Sequence, residues 1–224
     1  MKTDNPKNIY FDFCETLVDF QTADAFVDFV RKNSRSKYMV FMDLLYILLK
    51  KIKLFSLIEK WLPEKSVEKK IKLYQLKGIP YSYLDDQAER FYNELIKNRL
   101  IKKLFQVFVE HYNLNEKITV ISGGYEIYLK YFIKDFPKCS LIATQLEYKN
   151  GCSTGKIKGN DCLYAEKIKR LEQSNASNVN SIAYSDSSSD LPLLTWADSG
   201  YVVSKNKPQS WAKINQLNEI IWNQ

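Results

Sequence analysis

The sequence has few of the residues that mark disordered, repetitive or disulfide-bonded proteins. Its 224 residues include 7 glycines and 6 prolines, too few for a low-complexity chain. Hydrophobic residues make up 45% of the chain and charged residues 26%, which is typical of soluble globular proteins rather than disordered ones. A chain of this length can form one domain with an insertion, or two small domains.

Cysteines and long apolar runs are also scarce. None of the 4 cysteines belongs to a CxxC pair, so we expect reduced thiols and a cytoplasmic protein. The first segment, MKTDNPKNIY, contains no apolar stretch of signal-peptide length. The most apolar run, from Tyr38 to Leu49, contains Asp43 and is too short to cross a bilayer.

Positive charge is concentrated in one part of the chain. The net charge is +7, and residues 31–80 contain 13 Lys or Arg against 4 Asp or Glu, so the rest of the chain is slightly acidic. A basic segment with aromatic residues between its lysines can contact nucleic acid, an anionic membrane or a phosphorylated substrate. Scattered lysines are also common on the solvated faces of amphipathic helices, which is the simpler interpretation.

Apolar runs typical of strands alternate with helical patterns at both ends of the chain. Residues 8–14 predict a first strand, KITVISGG and SIAYSD predict later strands, and GYVVS predicts a last strand before a closing helix, KPQSWAKINQLNEIIW. The pattern from about Thr22 to Asn98 is helical, and the Asn150-Gly151 pair predicts a hairpin. This order predicts an α/β fold with a Rossmann-like, doubly wound, mostly parallel sheet and a helical insertion after its first strand.

Polar side chains stand at the ends of three predicted strands. Asp12 ends the first strand, Ser122 ends the second, and Asp186 ends SIAYSD. Because ligands of open parallel sheets bind beyond the carboxyl ends of the strands, we expect these side chains to meet at one edge. Lys167 lies early in the helix after the hairpin, and Asp190 follows Asp186 by four residues.

This set of residues suits phosphoryl transfer through a carboxylate. A nucleophilic carboxylate can accept the phosphoryl group as an aspartyl phosphate, and Mg²⁺ screens the repulsion between the two anions. Two carboxylates and a carbonyl suffice for Mg²⁺, because this ion keeps several of its waters. A lysine, a hydroxyl and the backbone N–H groups of Gly123 and Gly124 can neutralise the equatorial oxygens.

The order and spacing of these motifs resemble the haloacid dehalogenase superfamily, in the subfamily IB that contains phosphoserine phosphatase. The family's Asp-x-Asp-x-Thr strand end reads DFCET at positions 12–16, and its Ser or Thr after a strand reads ISGG at 121–124. The family's lysine matches Lys167 in CLYAEKIKRL, after the element STGKIKG, and its paired acids match Asp186 and Asp190. The resemblance covers nearly the whole chain.

The resemblance implies a magnesium site and a nucleophile. Asp12 is expected to be the nucleophile and a magnesium ligand, with Asp186 as the second carboxylate ligand and the backbone carbonyl of Cys14 as the third. Asp190 is expected to orient Lys167 or the waters of the metal site.

The resemblance also implies a phosphate-binding set, in which Thr16 holds the loop. Lys169, two residues from Lys167, is the alternative candidate for the lysine. The phosphoryl group is expected to lie among Thr16, Ser122, Gly123, Gly124 and Lys167.

Cys14 occupies the position where the family's phosphatases carry a second aspartate, which acts as general acid and then base. A thiol can donate a proton, but its thiolate is disfavoured beside a phosphate and two carboxylates, so it is a poor base. Three outcomes stay open. The protein is a slow phosphatase, or Glu15 swings into the site, or the phosphoryl group passes to an acceptor other than water.

Residues 19–98 are expected to form a helical cap over the active edge, and residues 1–18 and 99–224 the catalytic core. A cap excludes water and contacts the substrate, and the lysines of this one suit an anionic substrate. The family's phosphoserine enzymes carry a glutamate nine residues after the nucleophile, which binds the substrate amino group. Gln21 stands at that position, and an amide pairs less well with an ammonium, which disfavours phosphoserine.

The leading hypothesis is a Mg²⁺-dependent phosphatase that hydrolyses a small, sugar-linked or lipid-linked phosphate and has no nucleic-acid partner. The alternative is a catalytically weak binding protein whose basic cap holds an anionic partner or a membrane surface. The cap segment YMVFMDLLYILLKKIKLFSLIEKWL, apolar on one side and rich in lysine, either docks on a membrane or packs on its neighbours. The Asp186/Asp190 pair argues against a receiver-type signalling domain and against a carbon–halogen hydrolase.

Overall fold

The structure is a computed structural model that describes residues 7–34 and 67–223. The segment YMVFMDLLYILLKKIKLFSLIEKWL, its apolar run and most of the basic segment lie outside the described residues. Among the described residues, no helix is long and apolar enough to span a membrane.

Six parallel strands form the central sheet of the described chain, and two antiparallel strands form a separate hairpin. The strands are β1 (Asn8–Phe11), β2 (Lys117–Tyr125), β3 (Ser140–Thr144), β4 (Leu146–Lys149), β5 (Cys152–Ile157), β6 (Ser181–Ser185), β7 (Ser199–Ser204) and β8 (Asn218–Ile221). The order in the sheet is β3-β2-β1-β6-β7-β8, and β4 pairs with β5. The predicted α/β fold with a mostly parallel, doubly wound sheet is confirmed.

The strand order reverses at β1, which determines where a ligand can bind. Phe11 of β1 is in register with Val120 of β2 on one side and with Tyr184 of β6 on the other. Helical crossovers leave the sheet in opposite directions from such a switch point, and a crevice opens beyond the carboxyl ends of the strands there. Asp12 and Asp186 directly follow β1 and β6, so both reach this crevice.

Helices cover the sheet on both faces and also fill the described part of the predicted insertion. They are α1 (Thr22–Asn33), α2 (Val67–Tyr74), α3 (Tyr81–Phe91), α4 (Lys102–Asn113), α5 (Glu126–Asp135), α6 (Ala165–Gln173), α7 (Leu191–Trp196) and α8 (Ser210–Ile214). A π-helical turn, Tyr92–Ile96, and a 3₁₀ turn, Lys97–Arg99, continue α3, and a 3₁₀ turn, Ser188–Asp190, precedes α7. The division into a core and a cap of residues 19–98 stays a prediction.

Alternation along β1 sends apolar side chains to both faces of the sheet. Ile9 and Phe11 pack into the cluster that includes Phe26 of α1 and Tyr128 of α5, while Tyr10 packs into a second cluster on the other face. Helices of the insertion and strands of the sheet therefore share one hydrophobic core on the first face. Burial of β1 on both faces fixes the position of the residues that follow it.

The hairpin was predicted correctly, and the C-terminal segment was not. Asn150 and Gly151 connect β4 to β5 and both have positive φ, 52° and 76°, as the turn of a two-residue hairpin requires. The predicted closing helix KPQSWAKINQLNEIIW is wrong, because the helix is confined to Ser210–Ile214 and NEII forms the edge strand β8. Gln216 has a φ of 55°, which ends the helical path, and the following isoleucines suit a strand.

Candidate active site

Asp12 lies at the carboxyl end of β1 and is almost fully buried, with 6% of its surface exposed. The strand ends at Phe11 rather than at residue 14 as predicted. The backbone N–H of Asp12 donates to the carbonyl of Tyr184 at 2.9 Å, so the residue is still held by the neighbouring strand β6. The backbone of Asp12 is therefore fixed at the edge of the sheet, with its side chain beside β6.

Lys167 joins two buried carboxylates. Its Nζ atom lies 2.6 Å from Oδ1 of Asp12 and 2.6 Å from Oδ2 of Asp190, and 1% of its side chain is exposed. Ser185 donates a further hydrogen bond to Oδ2 of Asp190 at 2.7 Å. The alternative lysine, Lys169, has 60% of its side chain exposed, and its ion-pair partner among the described residues is Glu166, at 3.9 Å. The geometry therefore favours Lys167 over Lys169 as the lysine of the site.

Thr16 links the carboxylates of Asp12 and Asp186. Its hydroxyl oxygen lies 3.2 Å from Oδ2 of Asp12 and 3.2 Å from Oδ1 of Asp186, and it accepts the backbone N–H of Asp186 at 3.0 Å. Thr16 is fully buried and does not line the cavity. The structure thus supports a role in holding the loop and gives no support to the expected contact between Thr16 and a phosphoryl group.

When all three are ionised, the carboxylates of Asp12, Asp186 and Asp190 carry more negative charge than the Lys167 ammonium beside them neutralises. Burial raises the pKa of Asp12 to about 6, although Lys167 opposes this rise. Burial and the neighbouring charges of Asp12 and Glu15 raise the pKa of Asp186 to about 8. Burial alone would lower the pKa of Lys167, but the adjacent Asp12 and Asp190 outweigh it and the net shift is upward.

This electrostatic imbalance fits a divalent cation between Asp12 and Asp186. Asp186 makes no ion pair with any lysine or arginine of the described residues, and Oδ1 of Asp190 is buried without a hydrogen-bond partner. No group of three or more His, Cys, Asp or Glu side chains in residues 7–34 and 67–223 is arranged to hold a metal. Two carboxylates with a carbonyl and waters match Mg²⁺ rather than a metal that requires a full cage of side chains.

Ser122 and the glycine after it lie where β2 borders the site. Ser122 lies within β2, is fully buried, and accepts the backbone N–H of Gly124 at 3.0 Å. That N–H is therefore already engaged, and the expected contact of Gly124 with a phosphoryl oxygen is not supported. Ser122 and Gly123 line the cavity. A Cβ atom on Gly123 would lie 2.4 Å from Cδ2 of Leu163, so a larger residue here would have to displace the end of this side chain.

Cys14 faces the same cavity as Asp12 and is held by hydroxyl groups. Its Sγ atom lies 2.9 Å from the hydroxyl of Thr22 and 3.8 Å from that of Ser122. Burial and the charge of Asp12 raise the pKa of this thiol, so it stays neutral. Glu15 adopts a φ of 56° and its carboxylate accepts a hydrogen bond from the Gln21 amide, which holds it outside the buried carboxylate cluster.

The family of the chain follows from a comparison with family models. The model described as haloacid dehalogenase-like hydrolase matches residues 9–195, which include all the residues placed above. The chain belongs to this family. The predicted superfamily is thus confirmed, as is the prediction of a hydrolytic enzyme. Among curated protein sequences, none matches this hydrolase at a significant level.

Solved structures with the same fold include phosphatases. A protein of unknown function from Bordetella pertussis Tohama I is 19% identical over 96% of this chain and 99% of its own, with a TM-score of 0.77. A substrate-bound phosphoserine phosphatase is 18% identical over 99% of this chain and 94% of its own, at a TM-score of 0.59. Cytosolic 5′-nucleotidase IIIB bound to cytidine is 12% identical over 96% and 80%, at 0.59. At these identities the likeness shows a shared fold.

The cavity of this hydrolase also contains residues that sequence reasoning missed. Its volume is about 310 Å³, and Asp12, Cys14, Gln21, Ser122, Gly123, Lys167, Asp186 and Asp190 all line it. The missed lining residues are Ala23, Asp24, Glu68, Lys69, Leu163, Ser187 and Ser189. The serine run after Asp186 could have indicated two of these residues. Lys69 is one of many lysines in the basic segment, and nothing in its sequence neighbourhood distinguishes it.

Lys69 connects the predicted insertion to the catalytic edge. Its ammonium donates to both carboxylate oxygens of Asp161 and to the carbonyl of Gly123, each at 2.7 Å. Asp161 also accepts the hydroxyl of Thr144 at 2.6 Å. Helix α2 is therefore tied to the loop beside Ser122 by a largely buried ion pair, and Lys69 is already occupied by these partners.

Proposed function

We propose that this hydrolase is a Mg²⁺-dependent phosphatase that hydrolyses a small phosphomonoester through an aspartyl phosphate on Asp12. The observation that supports this proposal most directly is that the carboxylate of Asp12 has contacts on two sides. Lys167 contacts one oxygen at 2.6 Å, and Thr16 contacts the other at 3.2 Å beside Asp186. An anionic nucleophile can approach an anionic phosphoryl group only if both charges are compensated in this way.

The chain's own residues supply most of the steps. A carboxylate oxygen of Asp12 attacks phosphorus, and the oxygen–phosphorus bond of an acyl phosphate forms as the bond from phosphorus to the leaving oxygen breaks. The leaving oxygen takes a proton from water and departs as the alcohol. Lys167 and Ser122 bind the equatorial oxygens, and Asp190 fixes Lys167. When bound, Mg²⁺ held by Asp12, Asp186 and the carbonyl of Cys14 would screen the charges of the two reacting anions. Water then attacks the aspartyl phosphate and releases inorganic phosphate.

The dimensions of the site support a small substrate. A cavity of about 310 Å³ stands at the lower end of the range for ligand pockets, and part of it is needed for the phosphoryl group. The amide of Gln21 is already bonded to Glu15, which is consistent with the expectation that phosphoserine is a poor substrate. A sugar-linked or lipid-linked phosphate and the cytoplasmic location stay predictions.

The alternative of a weak binding protein depends on the basic cap. Residues 35–66 lie outside the described part of the chain, and no contact in the described part favours a membrane or an anionic macromolecule over a small phosphate. We therefore retain the phosphatase as the proposed function.

The proposal is tested with p-nitrophenyl phosphate in the presence of Mg²⁺ and then of a chelator. We expect turnover that requires Mg²⁺ and is lost in Asp12→Asn. Asp135→Asn is the matched control, because Asp135 contacts Tyr92 and Lys97 away from the site and its change should leave turnover intact. Equal turnover by Asp12→Asn and the parent protein would refute the proposal.

A further inference from the structure

A chain of buried hydroxyl groups leads from helix α5 to the thiol of Cys14. The backbone N–H of Tyr125 donates to the hydroxyl of Tyr128 at 2.9 Å. The Tyr128 hydroxyl lies 2.8 Å from that of Thr22, and the Thr22 hydroxyl lies 2.9 Å from Sγ of Cys14. Tyr128 and Thr22 are fully buried, and the sulfur reaches the surface of the catalytic cavity.

The direction of the hydrogen bonds in this series of hydroxyl groups follows from its first donor, the backbone N–H of Tyr125. A backbone N–H can only donate, so the Tyr128 oxygen accepts and its hydrogen has to find an acceptor elsewhere. Among the described residues, the remaining partner of Tyr128 is the Thr22 oxygen. Thr22 accepts this hydrogen and donates its own to the sulfur of Cys14. The thiol hydrogen of Cys14 is then left to point toward Ser122 and the cavity.

Gly124 provides independent support for this arrangement. A Cβ atom at this position would lie 2.7 Å from the Tyr128 hydroxyl and 3.1 Å from the Thr22 hydroxyl. Any side chain at 124 would therefore displace the two middle members of the chain. The second glycine of the ISGG motif is explained by space for these hydroxyls, since its N–H serves Ser122.

We propose that Thr22 and Tyr128 are positioning residues that fix the Cys14 side chain so that its S–H group donates a hydrogen bond to the bound phosphoryl group. This inference rests on the proposed phosphatase function. Two hydroxyl groups and a backbone N–H, all buried, are more than packing needs, because an apolar side chain of the same shape would fill the space without requiring partners. Their alignment on the thiol of Cys14 points to a need for one orientation of the sulfur.

A double-mutant cycle separates positioning from packing. Thr22→Val keeps the shape and removes the hydroxyl, and we expect kcat/KM for p-nitrophenyl phosphate to fall about fivefold or more, the effect of one lost hydrogen bond. Thr22→Ser should restore most of the loss. In a Cys14→Ala background the same Thr22→Val change should have no further effect, because the group it positions is absent. Equal losses in the two backgrounds would show a purely structural role and overturn the proposal.

Tyr128→Phe tests the next member of the chain and should lower kcat/KM in the same manner, again only when Cys14 is present. Tyr92→Phe is the matched control, since Tyr92 is a buried tyrosine whose hydroxyl bonds Asp135 outside the site. Thermal unfolding of every variant identifies any loss of activity that comes from unfolding. A decrease in Tyr92→Phe equal to that in Tyr128→Phe would also count against the proposal.

The infrared S–H stretching band gives a readout that does not depend on turnover. Subtraction of the Cys14→Ala spectrum identifies the band of Cys14, and we expect this band to shift in Thr22→Val and to return in Thr22→Ser. An inactive parent protein with a shifted band would refute the phosphatase and retain the positioning of the thiol. An unshifted band would refute the positioning whatever the activity.

Discussion

Asp12 and Asp186 come from nearly opposite ends of the chain, and their carboxylates contact the same hydroxyl, that of Thr16, each at 3.2 Å. The contact is possible because β1 and β6 are direct neighbours in the sheet. Burial raises the pKa of both carboxylates, and the charge of Asp12 repels that of Asp186 and raises its pKa further. A bound cation would relieve this repulsion, and the first prediction depends on it.

Magnesium should stabilise the folded protein more near pH 8 than near pH 5. The pKa of Asp186 is raised to about 8 and that of Asp12 to about 6, whereas unfolded aspartates titrate near pH ~3.9. Between the unfolded and folded pKa values, the metal-free folded state therefore binds more protons than the unfolded state. Its free energy of unfolding falls as the pH rises through the folded values of about 6 and about 8. Mg²⁺ competes with those protons, and it offsets the loss of stability at the pH values where the two carboxylates are ionised.

Thermal unfolding with Mg²⁺ or a chelator at the two pH values measures this effect. A gain in Tm of ~2–4 °C near pH 8 corresponds to ~1 kcal/mol of stabilisation in a chain of this size. Asp186→Asn should abolish the gain, and the control Asp135→Asn should keep it. The same gain at both pH values would contradict the proposed pair of ligands.

Lys167→Met should cost both activity and stability. The change leaves Asp12 and Asp190 buried without their shared cation, and breaking a buried ion pair in this way typically costs ~3–5 kcal/mol. Lys169→Met is the control two residues away, because its side chain is mostly exposed and such changes usually stay within ~0.5 kcal/mol. Urea unfolding of the two variants compares the free energies of unfolding, and similar values would be incompatible with the described geometry.

The ion pair between Lys69 and Asp161 should show a measurable coupling energy. Both side chains are largely buried, 16% and 12% exposed, and the ammonium contacts both carboxylate oxygens at 2.7 Å. A double-mutant cycle with Lys69→Met and Asp161→Asn, read by urea unfolding, should give a coupling of ~1–3 kcal/mol. The exposed pair of Arg90 and Glu94 is the reference and should give ~0.5 kcal/mol or less. Equal coupling in the two pairs would argue against α2 being tied to the catalytic edge.

Cys14→Asp should raise phosphatase turnover by tenfold or more. An aspartate at this position supplies the base that the thiol lacks, and general acid–base catalysis is worth ~100- to 10,000-fold. The hydroxyls of Thr22 and Ser122 that now face the sulfur can donate to the new carboxylate. Cys14→Asn has the same shape without the acid and is the control. No gain in Cys14→Asp, or an equal gain in Cys14→Asn, would show that proton transfer does not limit turnover.

Strands and site residues were predictable wherever a local pattern decided them. The apolar runs before Asp12, Ser122 and Asp186 are short and bounded by polar residues, so they indicated strands and placed three side chains at one edge. The prediction for the C-terminal segment was wrong because a short apolar run such as NEII suits a helix or a strand equally well. Pairing with β7 makes this run a strand, and a local sequence pattern does not show which strand will lie beside it.

The sequence by itself determined the family, the α/β fold and the residues that are expected to hold a phosphoryl group, because these depend on motif order and on hydrophobic period. Tertiary structure alone decided which lysine joins Asp12 to Asp190, that Thr16 links the two carboxylates, and that Lys69 lines the cavity. It also decided that the hydroxyls of Thr22 and Tyr128 lie in line with the thiol of Cys14. These contacts join elements distant in the chain, so their energies depend on burial and distance in three dimensions. Residue order along the chain does not specify either quantity.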